Sequence, residues 1–141
     1  MSNDSVASRR GGHEEDHLLS RVRKAAELVI SDLRNAAPHP VLTLSGPNSS
    51  GSVDVILTDS SGMSCGFAVS GTATDQEILY AVANRIPDGY VDLYSVGLPL
   101  VPGTQRPAVP RFVRGQVLWV DPKNESTWSS PVGSYGTRET G

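Results

Sequence analysis

His13-Glu14-Glu15-Asp16-His17 spells H-E-x-x-H. On a helix, two histidines so spaced share one face and can hold a zinc ion. The glutamate after the first histidine then takes the proton from the attacking water. That chemistry also needs a third ligand, a cleft, and acceptors for the outer histidine nitrogens. Drawn back through His13 at about 100° per residue, the helix turns both histidines away from the Leu18, Val22 and Val29 stripe. They share their side with Lys24, Ser31 and Asn35, which is the solvent side. His39 is the only other histidine. A charged first turn, in which Glu14, Glu15 and Asp16 favour the positive helix end, accounts for the pentapeptide better than a metal does. No metal and no other cofactor is expected.

Gly62-Met63-Ser64-Cys65-Gly66 matches the nucleophile elbow G-x-S-x-G. The elbow works on a sharp strand-to-helix turn, with an acid and then a histidine later in the chain. Here a strand-like FAVS follows, and no histidine comes after His39. Cys65 alternates with Met63, Phe67 and Val69, which makes it a core-facing thiol rather than a nucleophile. SGPNSSG (45–51) has the composition of a phosphate cradle but lacks the following Lys-Ser/Thr and helix. No catalytic residue is therefore assigned. Asp54 and Asp92 each interrupt an apolar strand-like run. On neighbouring strands they could bind a divalent cation or split their pKa values for acid–base work; a wet sheet face that tolerates acids is the ordinary account. Arg106, Arg111, Arg114 and Lys123 flank a proline-rich loop beside Tyr94, Phe112 and Trp119. They could meet an acidic partner or single-stranded nucleic acid, or simply solubilise the loop.

The elements that would position these groups follow from periodicity. A first helix spans about 17–36, with Leu18, Val22, Ala25, Val29, Leu33 and Ala36 on one side, until Pro38 and Pro40 stop it. VLTL (41–44) reads as a strand. SVDVILTD (52–59) and MSCGFAVS (63–70) read as a hairpin joined at Ser60-Ser61-Gly62. A connection over 59–61 would set Val55 opposite Cys65 and Val53 opposite Phe67, with Leu57, Met63 and Val69 on the same face. Thr74-Asp75-Gln76-Glu77 is a capping box opening a second helix with Ile78, Val82 and Ile86 one turn apart. Pro87-Asp88-Gly89 predicts its end, and YVDLYSV (90–96) a strand. GLPLVPGTQRPAVPR (97–111), with four prolines and two glycines, predicts an extended loop that buries Leu98, Leu100, Val101 and Val109. FVRGQVLWV (112–120) reads as one strand or two short ones.

The expected fold class is α+β: a single mostly antiparallel β-sheet of four to five strands with two helices packed on one face, in the order α-β-β-β-α-β-β. As an element order, this is similar to small secretion-chaperone-like folds. No residue motif carries that likeness, and no function is taken from it. With 141 residues, one domain is expected: residues 1–12 a flexible leader, 13–123 the compact body, 124–141 a flexible tail in which Trp128 and Tyr135 are the large anchors. A net charge of −3 and a pI near 5.5 disfavour duplex nucleic acid and membrane surfaces as partners. One cysteine excludes an internal disulfide and fits a reducing compartment. No apolar run reaches membrane-span length and no signal-peptide core is present, so the cytoplasm is the expected location.

Each catalytic pattern thus lacks its context. A non-enzymatic protein-binding or accessory protein is expected, of the adaptor, chaperone-like, immunity or assembly kind. Its partner would be another protein, with an acidic surface or a second copy of the chain as options. The expected contact residues are Leu98, Leu100, Arg106, Val109, Arg111 and Arg114. The alternatives are a small enzyme or metal-dependent hydrolase using sheet-face carboxylates, and a nucleic-acid or small-ligand binder working through Arg106–Arg114.

Overall fold

The computed structural model describes residues 2–33 and 38–135, with side chains from His17 onward within those ranges. The first helix, α1 (Ser2–Leu33), runs through the stretch expected to form a leader. Val22, Ala25, Ala26, Val29, Ile30 and Leu33 are all buried, so the apolar stripe faces the core. Ala36, the last residue expected on that stripe, lies outside the described residues.

Strands β1 (Val41–Ser45), β2 (Ser52–Thr58) and β3 (Ser64–Ser70) form an antiparallel sheet in that order. Val53, Val55 and Leu57 of β2 are buried, and Asp54 and Ile56 alternate onto the outer face. The register differs from expectation by two residues: Val55 pairs with Phe67 and Leu57 with Cys65. Asp59 is the cause. One of its carboxylate oxygens accepts from the Ser61 amide (2.9 Å), the Ser61 hydroxyl (2.7 Å) and the Met63 amide (3.0 Å). These bonds lengthen the connection to residues 59–63, with Gly62 at φ +94°. A shift of two preserves facing, so Cys65, Phe67 and Val69 still point toward the core. Met63, expected on that face, falls in the turn and is exposed.

Helix α2 (Asp75–Tyr94) opens on the expected capping box. The Glu77 amide donates to Thr74 Oγ1 (3.1 Å), and the Thr74 amide donates to Glu77 Oε1 (2.8 Å). It does not stop at Pro87. The ring removes one backbone donor, yet the helix continues to a left-handed cap at Ser95. Tyr90 and Tyr94 extend the Ile78, Val82, Ile86 row at four-residue spacing. Tyr90 is fully buried, with its ring edge-on to Tyr94 at 5.4 Å. Burial of that row offsets the bond lost at Pro87. The expected strand over 90–96 is therefore the last helical turn and its cap.

The second sheet is β4 (Val109–Val113), β5 (Gln116–Val120) and β6 (Ser129–Pro131), again antiparallel and in sequence order. Arg114 (φ 54°) and Gly115 (φ 78°) make a two-residue turn that splits 112–120 into two paired strands. β6 lies in the stretch expected to be a tail, and Trp128 and Tyr135 both pack on the core. The expected single four- to five-stranded sheet is thus overturned. The chain builds two separate three-stranded sheets in the order α-β-β-β-α-β-β-β, and the likeness in element order to secretion-chaperone-like folds goes with it. The two helices pack on each other, and α2 touches β3 of one sheet and β4 and β5 of the other.

Asp32 ties α1 to the second sheet. Its carboxylate accepts the Trp119 indole N–H (2.7 Å) and the backbone N–H groups of Gly133 (2.7 Å) and Tyr135 (3.1 Å). Burial pushes this carboxyl above the usual carboxylate range, and the three donors pull it only part of the way back.

Two stability measurements check this architecture. Replacing Pro87 by Ala restores an amide donor inside a helix, so urea unfolding should show a gain of about 1–3 kcal/mol; a loss would mean that Pro87 marks a turn. Asp32→Ala orphans three donors and should cost roughly 3 kcal/mol. Asp32→Asn keeps an acceptor but cannot titrate. The proton binds Asp32 more tightly in the folded chain, so its contribution is full below the ordinary carboxylate pKa and lost as pH rises through the raised native value. The wild-type advantage over Asp32→Asn should therefore be largest in acid and shrink toward neutrality; an advantage that grows with pH would refute the sign.

Candidate protein-binding surface

Among the expected contact residues, Leu98 is buried, with 6% of its surface exposed, and so belongs to the core. Leu100 and Val109 are half-buried; the Leu100 carbonyl accepts the Tyr135 hydroxyl at 2.7 Å. Arg106 forks onto Asp121 through Nε (3.2 Å) and Nη2 (2.8 Å). Hydrogen bonds from Arg106 and from the Lys123 amide hold the Asp121 carboxyl below its ordinary range, and Asp121 in turn raises Arg106. Arg111 reaches Glu125 at 3.0 Å and the Pro110 carbonyl at 2.9 Å. Arg114 sits exposed at the β4–β5 turn. Two of the four basic groups are thus matched by acids of the same chain, which removes the free positive stripe that a nucleic-acid surface needs.

The acid pair also separates. Asp54 lies on the outer face of the first sheet, opposite Ser45 and Ala68. Asp92 lies on α2, because residues 90–94 are helical. His17 lines a groove with Arg21 and Lys24, and Arg21 crosses to Asp75 of α2 at 2.7 Å. His13 and Glu14 lie outside the described side chains. Among the described residues, no group of three His, Cys, Asp or Glu side chains is gathered that could hold a metal. In the 45–51 loop, Asn48 Oδ1 accepts from the Ser50 amide (3.0 Å), the Ser50 hydroxyl (2.8 Å) and the Ser52 amide (3.0 Å), so the loop's donors point inward. Ser64 begins a strand, not a helix.

What the fold gathers instead lies around the outer side of α2. Toward the second sheet, Tyr80 stacks on Phe112 of β4 with ring centres 5.0 Å apart and planes at 22°. Beside them runs a groove of about 200 Å³ lined by Asn84, Pro87, Val91, Leu98, Pro107, Val109 and Pro110. Val91 (49% exposed) leaves a large apolar surface open at this groove, and Phe112 (47%) leaves another farther along β4. Leu98 and Val109 thus enter as lining of the groove. Phe112 was named from the sequence beside the basic loop residues, whereas Tyr80 and Val91 were missed. The signal for them was present: Tyr80, Asn84, Pro87 and Val91 follow helical spacing once α2 is carried past Pro87.

The chain matches no protein-family model, no curated protein and no solved structure. Function therefore has to be argued from this surface.

On the adjoining face of α2, a groove of about 400 Å³ that shares Asp88 and Val91 with the first runs beside β3, lined also by Leu57, Cys65, Phe67, Arg85 and Asp92. Burial first, and then the Asp92 charge, push the Cys65 thiol up. Both effects disfavour the reactive thiolate. Iodoacetamide should label Cys65 several-fold more slowly than an exposed thiol, and Asp92→Asn should speed the labelling. Fast labelling of the folded protein would show an activated cysteine.

Proposed function

We propose that the chain is a non-enzymatic protein-binding or accessory domain that receives an apolar segment of a partner along the α2–β4 groove. The observation that supports it is the exposed Val91 bordering a floor made of Leu98, Val109 and Pro110, with half-exposed Phe112 farther along β4. An aromatic anchor beside an apolar groove is the usual core of a protein contact. Arg106 and Arg111 are already paired and orient the loop, and exposed Arg114 at the turn suits an acidic neighbour. Among the described residues no helix is long and apolar enough to cross a membrane. A free thiol at Cys65 suits a reducing compartment such as the cytoplasm, where we place the partner as well.

Affinity capture from the native cell extract tests this, with wild type and Phe112→Asp compared after their melting temperatures are matched. A saturable partner lost on Phe112→Asp and kept on Arg106→Gln supports the groove. Identical capture by all three proteins would move the function elsewhere.

A further inference from the structure

The second sheet protects its edges, whereas the β3 edge of the first lacks such protection. β4 carries Pro110 and Arg111, and β6 is three residues long and ends at Pro131; proline, charge and shortness all discourage strand addition. β3 has seven residues, Ser-Cys-Gly-Phe-Ala-Val-Ser, without charge, proline or a break in register. Among the described residues nothing pairs with its outer edge. The other edge of that sheet, β1, is shorter and follows Pro38 and Pro40.

The groove beside β3 carries charge in a definite order. The Arg85 guanidinium lies over the Phe67 ring at 5.4 Å, and Asp92, two turns farther along α2, lines the same groove as Cys65. Helix and strand therefore run in opposite directions, with the base at residue 67 and the acid at residue 65. Turned about a two-fold axis through Gly66, an antiparallel copy of β3 sets Cys65 opposite the partner's Phe67. The same turn sets Arg85 opposite the partner's Asp92, twice. Odd residues meet odd residues, so both core faces stay on one side and the sheet continues. Gly89 lets α2 sit close over Leu57 and Cys65.

We propose that β3 pairs with β3 of a second copy in this register, giving a six-stranded sheet held by reciprocal Arg85–Asp92 contacts. Val91 borders both grooves, whereas Phe112 lines neither, so the Phe112→Asp test above reads a residue outside this dimer contact.

Sedimentation velocity on the full chain over a wide concentration range tests it. The expected species weighs about 30 kDa, twice the chain mass of 15.0 kDa. Arg85→Asp and Asp92→Arg should each weaken association at least ~10-fold, and the double reversal should restore it. In a Cys65→Ala background, Ser64→Cys with Ala68→Cys should form intermolecular disulfides without reductant, because those positions face each other in this register. A monomer at every concentration overturns the proposal. So does a dimer that ignores the charge reversals, or one that does not crosslink at 64 and 68. None of these outcomes touches the Phe112→Asp test, which reads a different residue.

Discussion

Helix α2 has to bury two sides at once, and most of the molecule follows from that requirement. On one side, Gly89 presses against Cys65 and Leu57 of the first sheet. On the other, it touches β4 and β5 of the second sheet, with Ala83 buried. Neither sheet closes a core alone, since each has three strands and one wet face. A helix placed between them supplies what both lack. Its outer side is the ridge left over, and the two grooves are the gaps where the sheets fall away from it.

The second half of the chain is locked by polar contacts that the apolar pattern does not specify. Trp119 is wholly buried, which requires a partner for its indole N–H, and Asp32 from α1 provides it. The same carboxylate takes two backbone donors after β6, so one side chain joins the first helix, the fifth strand and the last described turn. The charge that is costly to bury is thereby distributed over three donors. Arg106 and Asp121 make a second clasp, nearer the surface, between the proline-rich loop and the end of β5. The loop is fastened to the body because Leu98 and Val101 are buried and Arg106 is held by Asp121.

Much of the local structure was legible in the sequence. The α1 stripe, the Thr74–Glu77 box and the alternation along β2 each depend on residues close together in the chain, where periodicity and capping act. The hairpin register was legible only in parity, because its exact value depends on what the Asp59 carboxylate captures. Pro87-Asp88-Gly89 misled for a physical reason. These three residues favour a turn locally, but Tyr90 lies one turn beyond Ile86, and burying it keeps the helix going. That one difference turned an expected strand into helix, separated Asp92 from Asp54, and removed the single-sheet arrangement. The place of Tyr80 and Val91 on one surface became legible only after the helix was extended.

The loops at the two ends of β2 are built alike. Asn48-Ser49-Ser50-Gly51-Ser52 and Asp59-Ser60-Ser61-Gly62-Met63 close with the same pattern: one side-chain oxygen takes two amides and a hydroxyl, and the first residue pairs through its backbone with the fifth. Ser61's hydroxyl and the loop amides hold Asp59 below the ordinary carboxylate range, so it is ionised, while Asn48 does the same work uncharged. What each loop needs is therefore an acceptor atom in one place, whatever its formal charge. The two positions are an exchangeable pair, at which the net charge of −3 can be moved up or down by one while the backbone stays as it is.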